Sequence, residues 1–428
     1  MKLQYKRMLA SMICGLMMLN LVACNLHVED LLHQGSTEMQ EEQSSVEESA
    51  MWEDGESLSE NVASEEENIK PENSAETLPE TVGEFRNASD IVSDIRLGWN
   101  VGNSLDSYGD WINGDSTEDY ETAWGNPVIT PELIHCVKEQ GFNAVRVPVT
   151  YLHFMDEDGK IDEAWLARVK EVVDYVLAED MYCIIDIHHD TGASEHAWIV
   201  ADPYLYENGM KQRFAYVWQQ IAEYFKDYDD RLIFEGMNEV LDASWNWGGS
   251  TPENYEVINQ LNQVFVDTVR STGGNNTQRN LVVVAYGNSS HESQISGFVP
   301  PHDTAENHLI IGIHVYEPDG FCNGNDVVWD EGDEATLDAT FERIYGNVVQ
   351  KYQLPVIVGE FGARELNESE DYKRERSEFA KYFVEKAHAR GIACFWWDDG
   401  GSMKIFDRAN AVPYDSYTIQ AMMEVTVD

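Results

Sequence analysis

The sequence predicts an α/β protein built on an eight-stranded parallel barrel, and three observations carry that expectation. Eight short apolar runs recur between Leu97 and Trp397. Amphipathic stretches of helical period separate most of them, and strands alternating with helices pair in parallel through βαβ units. Polar and charged residues stand at the carboxyl end of one run after another, which is where a (β/α)8, or TIM, barrel carries its chemistry. A doubly wound sheet is the competing arrangement. It calls for a glycine-rich phosphate turn after an early strand, and none is present. There is no internal repeat.

Three segments are expected: 1–24, 25–86 and 87–428. The first is a targeting segment. Lys2, Lys6 and Arg7 make a basic start, and Met8 to Met18 is mostly apolar. That run is short for a membrane span, which needs ~20 apolar residues, and has the proportions of a signal peptide. Leu21-Val22-Ala23-Cys24 closes it and resembles the bacterial lipobox, in which the cysteine is lipidated and becomes the mature N-terminus. The second segment is rich in Glu, Ser, Asn and Gln. From Glu29 to Glu84 it carries 18 acidic residues against the single Lys70. Such a chain cannot bury enough apolar surface to offset its ordering entropy, and self-repulsion extends it. It reads as a disordered acidic linker that tethers the third segment.

From residue 87 the character changes. Ile91 to Arg96 leads into Leu97-Gly98-Trp99-Asn100-Val101-Gly102-Asn103. Later strands are expected over Asn143–Pro148, Met181–His188, Leu232–Glu239, Leu281–Tyr286, Leu309–Tyr316, Val356–Glu360 and Ala393–Trp397. Helical patterns fall over Pro131–Gln140, Asp162–Ala178, Met210–Tyr228, Asn254–Arg270, Leu337–Tyr352 and Tyr372–Ala389.

Composition narrows the function. The 428-residue chain has 43% hydrophobic and 11% aromatic residues, enough for a large core, and a formal net charge of −50. That charge excludes nucleic acid and an anionic membrane surface as partners. It also favours a neutral polymer over a polyanionic one. Four cysteines follow the leader, Cys136, Cys183, Cys322 and Cys394. Neither a CxxC pair nor a zinc-type Cys/His spacing is found among them, and Cys183 and Cys394 read as small buried hydrophobes.

The strand ends supply a candidate site. The second strand ends with Arg146, the third with Asp186, His188 and His189, and the fourth with Asn238 and Glu239. The sixth ends with His314 and Tyr316, the seventh with Glu360, and the eighth with Trp396, Trp397, Asp398 and Asp399. Each alone has a bland structural reading; gathered at one rim, they suggest chemistry. Two glutamates at two strand ends suggest the carboxylate pair of a retaining glycosidase, in which one carboxylic acid protonates the leaving oxygen and one carboxylate attacks the anomeric carbon. Arg146 is expected to lower the pKa of the attacking carboxylate, and apolar surroundings to raise that of the acid. Asn238 is placed to bond a sugar 2-hydroxyl, Tyr316 to donate to the nucleophile, and a tryptophan to stack on a pyranose ring. Trp396 and Trp397 point opposite ways, so one of them is expected to pack. His188 and His189 invite a metal reading, but adjacent strand residues face opposite sides, so no metal and no cofactor is expected. Loop aromatics Trp124, Trp198, Trp245, Trp247 and Trp329 are candidates to line a cleft.

Taken together, Gly98-Trp99-Asn100-Val101-Gly102-Asn103, Glu121 to Pro127, Arg146-Val147-Pro148-Val149, Asp186-Ile187-His188-His189, Phe234 to Glu239, His314-Val315-Tyr316, Gly359-Glu360-Phe361-Gly362 and Trp396 to Gly400 resemble glycoside hydrolase family 5, and within it subfamily 4. The resemblance covers nearly all of Leu97 to Gly400. It implies Glu239 as acid/base and Glu360 as nucleophile. It places Arg146, His188, Asn238, His314, Tyr316 and Trp397 around them; His189, Asn103 and Trp124 are expected as further substrate contacts. It implies an endo-β-1,4-glucanase acting on β-glucan polysaccharide; the leader and lipobox add export and a lipid anchor at the cell surface on Cys24, and a monomer is expected. A xyloglucanase, lichenase or mannanase of the same mechanism and a non-catalytic glycan-binding lipoprotein are the alternatives. Two departures stand out: Val240 replaces the family's usual proline, and Asp190 follows His189 where glutamate is more typical.

Overall fold

A computed structural model describes residues 85–426. The leader, Cys24 and all but the last two residues of the acidic segment lie outside the described residues. Eight strands form a closed parallel barrel: β1 (Gly98–Val101), β2 (Ala144–Val147), β3 (Tyr182–Asp186), β4 (Leu232–Glu235), β5 (Leu281–Val284), β6 (Leu309–Val315), β7 (Val356–Phe361) and β8 (Ala393–Asp398). They run in sequence order, and β8 returns to pair with β1.

The helices between them follow from local chemistry. Thr130, Asp162, Thr251 and Ser369 accept backbone N–H groups as N-caps of Pro131–Glu139, Glu163–Ala178, Pro252–Ser271 and Glu370–His388, satisfying donors that have no partner within the helix. The helix expected from Leu337 starts earlier, at Glu331, because Asp330 and Asp333 cap each other reciprocally ahead of it. Between β5 and β6 the only α-helix is the four-residue Glu292–Ile295. Two helices of seven residues or more were not expected, Ala88–Asp94 and Ser416–Glu424.

The barrel interior is layered by the two-residue alternation of its strands. Its lower part is apolar: Ala144, Tyr182, Ile184, Ile233, Val282, Ile310, Ile357, Ala393 and Phe395 form one buried cluster. Helix Ala88–Asp94 closes that end, adding Ala88, Ile91 and Val92 to the same cluster. Arg86 anchors the entry by donating to Asp230 at 2.7 Å and to the Tyr182 hydroxyl at 2.7 Å. The outward residues of the strands, such as Val145, Cys183, Phe234 and Ile311, join the larger core under the helices. Further along β1 to β4 and β6 the inward side chains turn polar: Asn100, Arg146, Asp186, Glu235 and His314 are all buried. That upper layer is the floor of the candidate site.

On β7 simple alternation would fail. Ile357 faces inward, so Glu360, three residues on, would face the helices. A bulge prevents this. The pairing with β6 runs Ile313 to Val358 and then His314 to Glu360, skipping Gly359. The pairing with β8 shows the same extra residue between Val358 and Phe361. One inserted residue reverses parity, turning Glu360 inward and Phe361 into the outer core.

The barrel is closed from outside by Ser416–Glu424 against Glu370–His388. Asp415 joins them: it caps the former through the Thr418 N–H and hydroxyl, at 3.1 and 2.7 Å, and pairs with buried Arg376 at 2.6 Å. Losing one partner of a buried ion pair costs about 3–5 kcal/mol. Asp415→Ala should therefore lower the unfolding free energy by about that amount in a denaturant titration; an unchanged midpoint would show that this helix is not part of the cooperative fold.

Candidate active site

The site begins with Arg146, whose side chain is fully buried at the upper end of the barrel. Every N–H of its guanidinium is used. Nε donates to Glu235 at 2.7 Å, and Nη1 donates to Glu360 at 2.8 Å and to Asn100 at 3.1 Å. Nη2 donates to Asp186 at 2.7 Å, to Asn238 at 3.0 Å and to the second Glu235 oxygen at 3.1 Å. The planar five-donor fork of arginine suits this role, which a lysine ammonium could not fill.

Glu360 has its other oxygen on the Tyr316 hydroxyl, at 2.9 Å. Glu239 lies opposite. Its Oε1 is 2.9 Å from His314 Nδ1, and the same nitrogen is 3.5 Å from Glu360 Oε2. A carboxylate oxygen of Glu239 and one of Glu360 lie within 4.8 Å of each other. Glu239 is reached by a short extension past β4, which ends at Glu235 rather than running to Glu239. Gly236 and Met237 intervene, and the Asn238 N–H bonds the Ile187 carbonyl at 2.9 Å.

The electrostatics follow from one cation among several buried acids. Burial pushes Glu239 up to about 7, against the pull of His189 and Arg146. Burial likewise pushes Asp186 up to about 6, opposed by Arg146. Glu360 is also raised by burial, with His314 and Arg146 opposing. The sequence expectation that Arg146 holds Glu360 below its ordinary range is corrected here: desolvation of a carboxylate in this floor outweighs a guanidinium that three carboxylates share. His188 stays neutral, lowered well below its ordinary range by burial and by its cationic neighbours, and its Nδ1 lies 2.7 Å from Asp186.

The structure brings the expected residues together, with two corrections. His188 and His189 do not face opposite sides. They follow β3 rather than lying in it, and their rings are 4.5 Å apart. The alternation argument therefore does not apply to them. With Asp106 they place ligand-type atoms within 4.8 Å of one another, while Asp106 itself accepts the Asn103 and Ser104 N–H groups at 3.0 and 2.7 Å. His189 also packs against the rings of Tyr108 and Trp124, at 5.1 and 5.4 Å. Asn103 takes a left-handed backbone, φ 57°, beside them. Trp397 lies parallel to the His188 ring at 5.7 Å and is half-buried, whereas Trp396 is fully buried. Gly102 makes room for it, since a methyl there would stand 2.6 Å from the Trp397 ring.

The second correction concerns the loop aromatics. Trp198 is tied to Asp190 at 2.6 Å and covered by Arg213, and Trp329 packs on Phe321, Phe379 and Tyr382. Both are held by packing partners, and both stay partly exposed. Trp245 and Trp247, after β4, stay half exposed, as does Trp111 after β1.

Sequence reasoning missed Asn100, Asp106, Glu235 and Asn288, and named Asp186 without carrying it into the site. Glu235 had a usable signal, since a carboxylate inside the apolar run Leu232-Ile233-Phe234 must be paired. Asn288 had none: it follows Gly287 in a left-handed turn after β5, and its Nδ2 lies 3.2 Å from His314 Nε2.

The family model Cellulase (glycosyl hydrolase family 5) matches residues 105–402. The chain is 41% identical over 320 residues to cellulase/esterase CelE of Acetivibrio thermocellus, covering 73% of this chain and 36% of that protein. It is 36% identical over 323 residues to endoglucanase A of Clostridium longisporum, covering 74% of this chain and 60% of that one. The chain thus spans less than two thirds of the length of either relative. Among solved structures, a GH5-4 broad specificity endoglucanase from Ruminococcus champanellensis with bound cellotriose superposes with a TM-score of 0.74 at 37% identity, over 79% of this chain and 98% of that one.

The raised pKa of Glu239 has a consequence for stability. Its folded value, about 7, exceeds the unfolded carboxylate value, so the native state holds a proton that the unfolded chain releases. Folding stability is therefore lost as pH rises through this window, up to about 7. Glu239→Gln removes that loss while keeping an acceptor for His314. Its melting temperature should exceed that of the unaltered protein above neutral pH and match it in acid; equal shifts at both would show that Glu239 is not strained by ionisation.

Proposed function

The chain belongs to the cellulase family, glycosyl hydrolase family 5, and on that footing we propose that it is a retaining endo-β-1,4-glucanase. One observation carries the mechanism: oxygens of Glu239 and Glu360 lie within 4.8 Å of each other. Retaining enzymes hold their carboxyl groups ~5–5.5 Å apart, and inverting ones leave ~6.5–9.5 Å for a water between them. Glu239, titrating near 7, is protonated in weakly acidic solution and gives its proton to the glycosidic oxygen. Glu360 attacks the anomeric carbon. Burial raises it, but donors at 2.8 Å from Arg146 and 2.9 Å from Tyr316 stabilise its charge directly. In the second half Glu239, now a carboxylate, takes a proton from the water that releases the sugar.

The remaining residues position the substrate. Asn238 spends its carbonyl oxygen on Arg146, so its amide N–H groups are free for a sugar 2-hydroxyl. Trp397 over His188 offers a flat apolar floor for the ring. Tyr108, Trp124, His189 and Asn103 extend that wall toward β1. The −50 charge favours a neutral β-glucan, and the relative with cellotriose supports one linked β-1,4. Residues 25–84 act as a tether behind a lipid on Cys24, holding a monomeric barrel at the cell surface, while Phe85 and Arg86 already bond to the barrel.

Two experiments test this reading. With an activated aryl cellobioside, Glu239→Ala still forms the glycosyl-enzyme, because such a leaving group needs little protonation. Azide then restores turnover and yields the β-glycosyl azide with retention. Glu360→Ala forms no intermediate and yields the α-azide or nothing. On unactivated glucan both variants lose at least about 100-fold in turnover. The opposite azide products would exchange the two roles, and inversion by the unaltered protein would end the retaining mechanism.

For the tether, removing residues 1–84 should leave activity on soluble glucan unchanged, and Cys24→Ala should release the protein from the cell or block its processing. A marked loss on truncation would place the acidic segment in the catalytic unit.

A further inference from the structure

Asn288 stands apart from the residues that meet the two glutamates. It is fully buried, it follows β5, and the reading of the strand ends assigned β5 nothing. Its backbone is left-handed at φ 52°, after Gly287 at φ 58°. Asparagine tolerates that region better than most residues. The turn aims its amide at the back of His314: Nδ2 lies 3.2 Å from His314 Nε2 and 3.4 Å from Glu235 Oε1.

The orientation of that amide follows from Glu235. A carboxylate accepts and does not donate, and Glu235 is bound to Arg146 through both oxygens. The reversed amide would set Asn288 Oδ1 against that carboxylate. The NH2 group therefore faces Glu235 and, with it, His314 Nε2. Asn288 Oδ1 is left with no partner, beside Gly312, where a methyl would stand 3.5 Å from it. A nitrogen that receives a donor must carry a lone pair. Burial lowers the pKa of His314 and so favours the neutral ring; with Nε2 accepting from Asn288, its one proton is on Nδ1, which faces Glu239 Oε1 at 2.9 Å.

We propose that Asn288 is a positioning residue for the acid/base step: by donating to Nε2 it fixes His314 as the Nδ1–H tautomer, which decides which oxygen of Glu239 carries the acid proton. Oε1 is occupied by the His314 N–H, so the proton of the acid form sits on Oε2, free for the glycosidic oxygen. With the other tautomer, Nδ1 would be an acceptor. The Glu239 proton would then be held by the ring and withheld from the leaving group. The functional half of this inference rests on Glu239 being the acid/base, as proposed above; the tautomer itself does not.

The test is nitrogen NMR of the full chain labelled at histidine, with the His314 signal assigned by its loss in His314→Gln. The expected result is a pyrrole-type, proton-bearing Nδ1 and a pyridine-type Nε2 in the unaltered protein. Asn288→Asp placed in a Glu239→Gln background, recorded above neutral pH so that the new carboxyl is ionised and Glu239 no longer competes for the ring proton, should exchange the two, because a carboxylate accepts from Nε2–H and the amide replacing Glu239 can turn its NH2 to Nδ1. With Glu239 in place, Asn288→Asp should lower turnover on unactivated glucan about 100-fold, while the first step with an activated aryl cellobioside falls less than about 3-fold. Asn288→Gly, which the left-handed backbone accepts, should give mixed tautomers and an intermediate loss. A proton on Nε2 in the unaltered protein would overturn the proposal whatever the variants do. So would an unchanged tautomer in the folded double variant, or equal losses on both substrates in Asn288→Asp. A chain with the stated tautomer and no glycosidase activity would instead overturn the function proposed above.

Discussion

The guanidinium of Arg146 is the interaction on which the site depends. It is the cation buried among Asp186, Glu235 and Glu360, and it reaches side chains from β1, β3, β4 and β7 together with Asn238. Hydrogen bonds in a dry interior are strong and their loss is costly. Fixing five partners to one rigid fork therefore fixes the strand ends relative to each other. Of the glutamate pair, Glu360 is held by that fork directly and Glu239 through its neighbour Asn238.

The barrel places this hub through a simple division. Lower inward positions are apolar and are sealed by helix Ala88–Asp94, which keeps water out from below. Upper inward positions are polar and stacked against the site. The bulge at Gly359 belongs to the same design. It costs one pairing on β7 and turns Glu360 toward Arg146 and Tyr316 instead of toward the helices.

The charge arrangement is poor for stability and useful for proton transfer. One guanidinium shared by three acids leaves burial dominant, so Glu239, Asp186 and Glu360 all rise above their ordinary range. Glu239, which Arg146 does not contact directly, rises to about 7. Glu360, with two direct donors, keeps better support for its charge. Two carboxyl groups that are chemically alike are thus separated by environment, as acid/base pairs are in other enzymes.

Much of this was legible in the chain. Alternating apolar runs and amphipathic stretches determined eight strands and most of the helices, because those patterns are local. Polar residues at successive strand ends, with the family resemblance, pointed to Arg146, Asn238, Glu239, His314, Tyr316 and Glu360, all of which meet at one rim. Tertiary structure alone decided the rest. Register placed the bulge and so the direction of Glu360. Barrel closure brought Asn288 to His314 and paired Glu235 with Arg146, partners 26 and 89 positions apart. Packing gave Trp198 and Trp329 the partners Asp190 and Phe321, which their loop positions did not reveal. Local pattern encodes which face a residue prefers; which residue stands opposite it depends on how eight strands close, and no short stretch of sequence contains that.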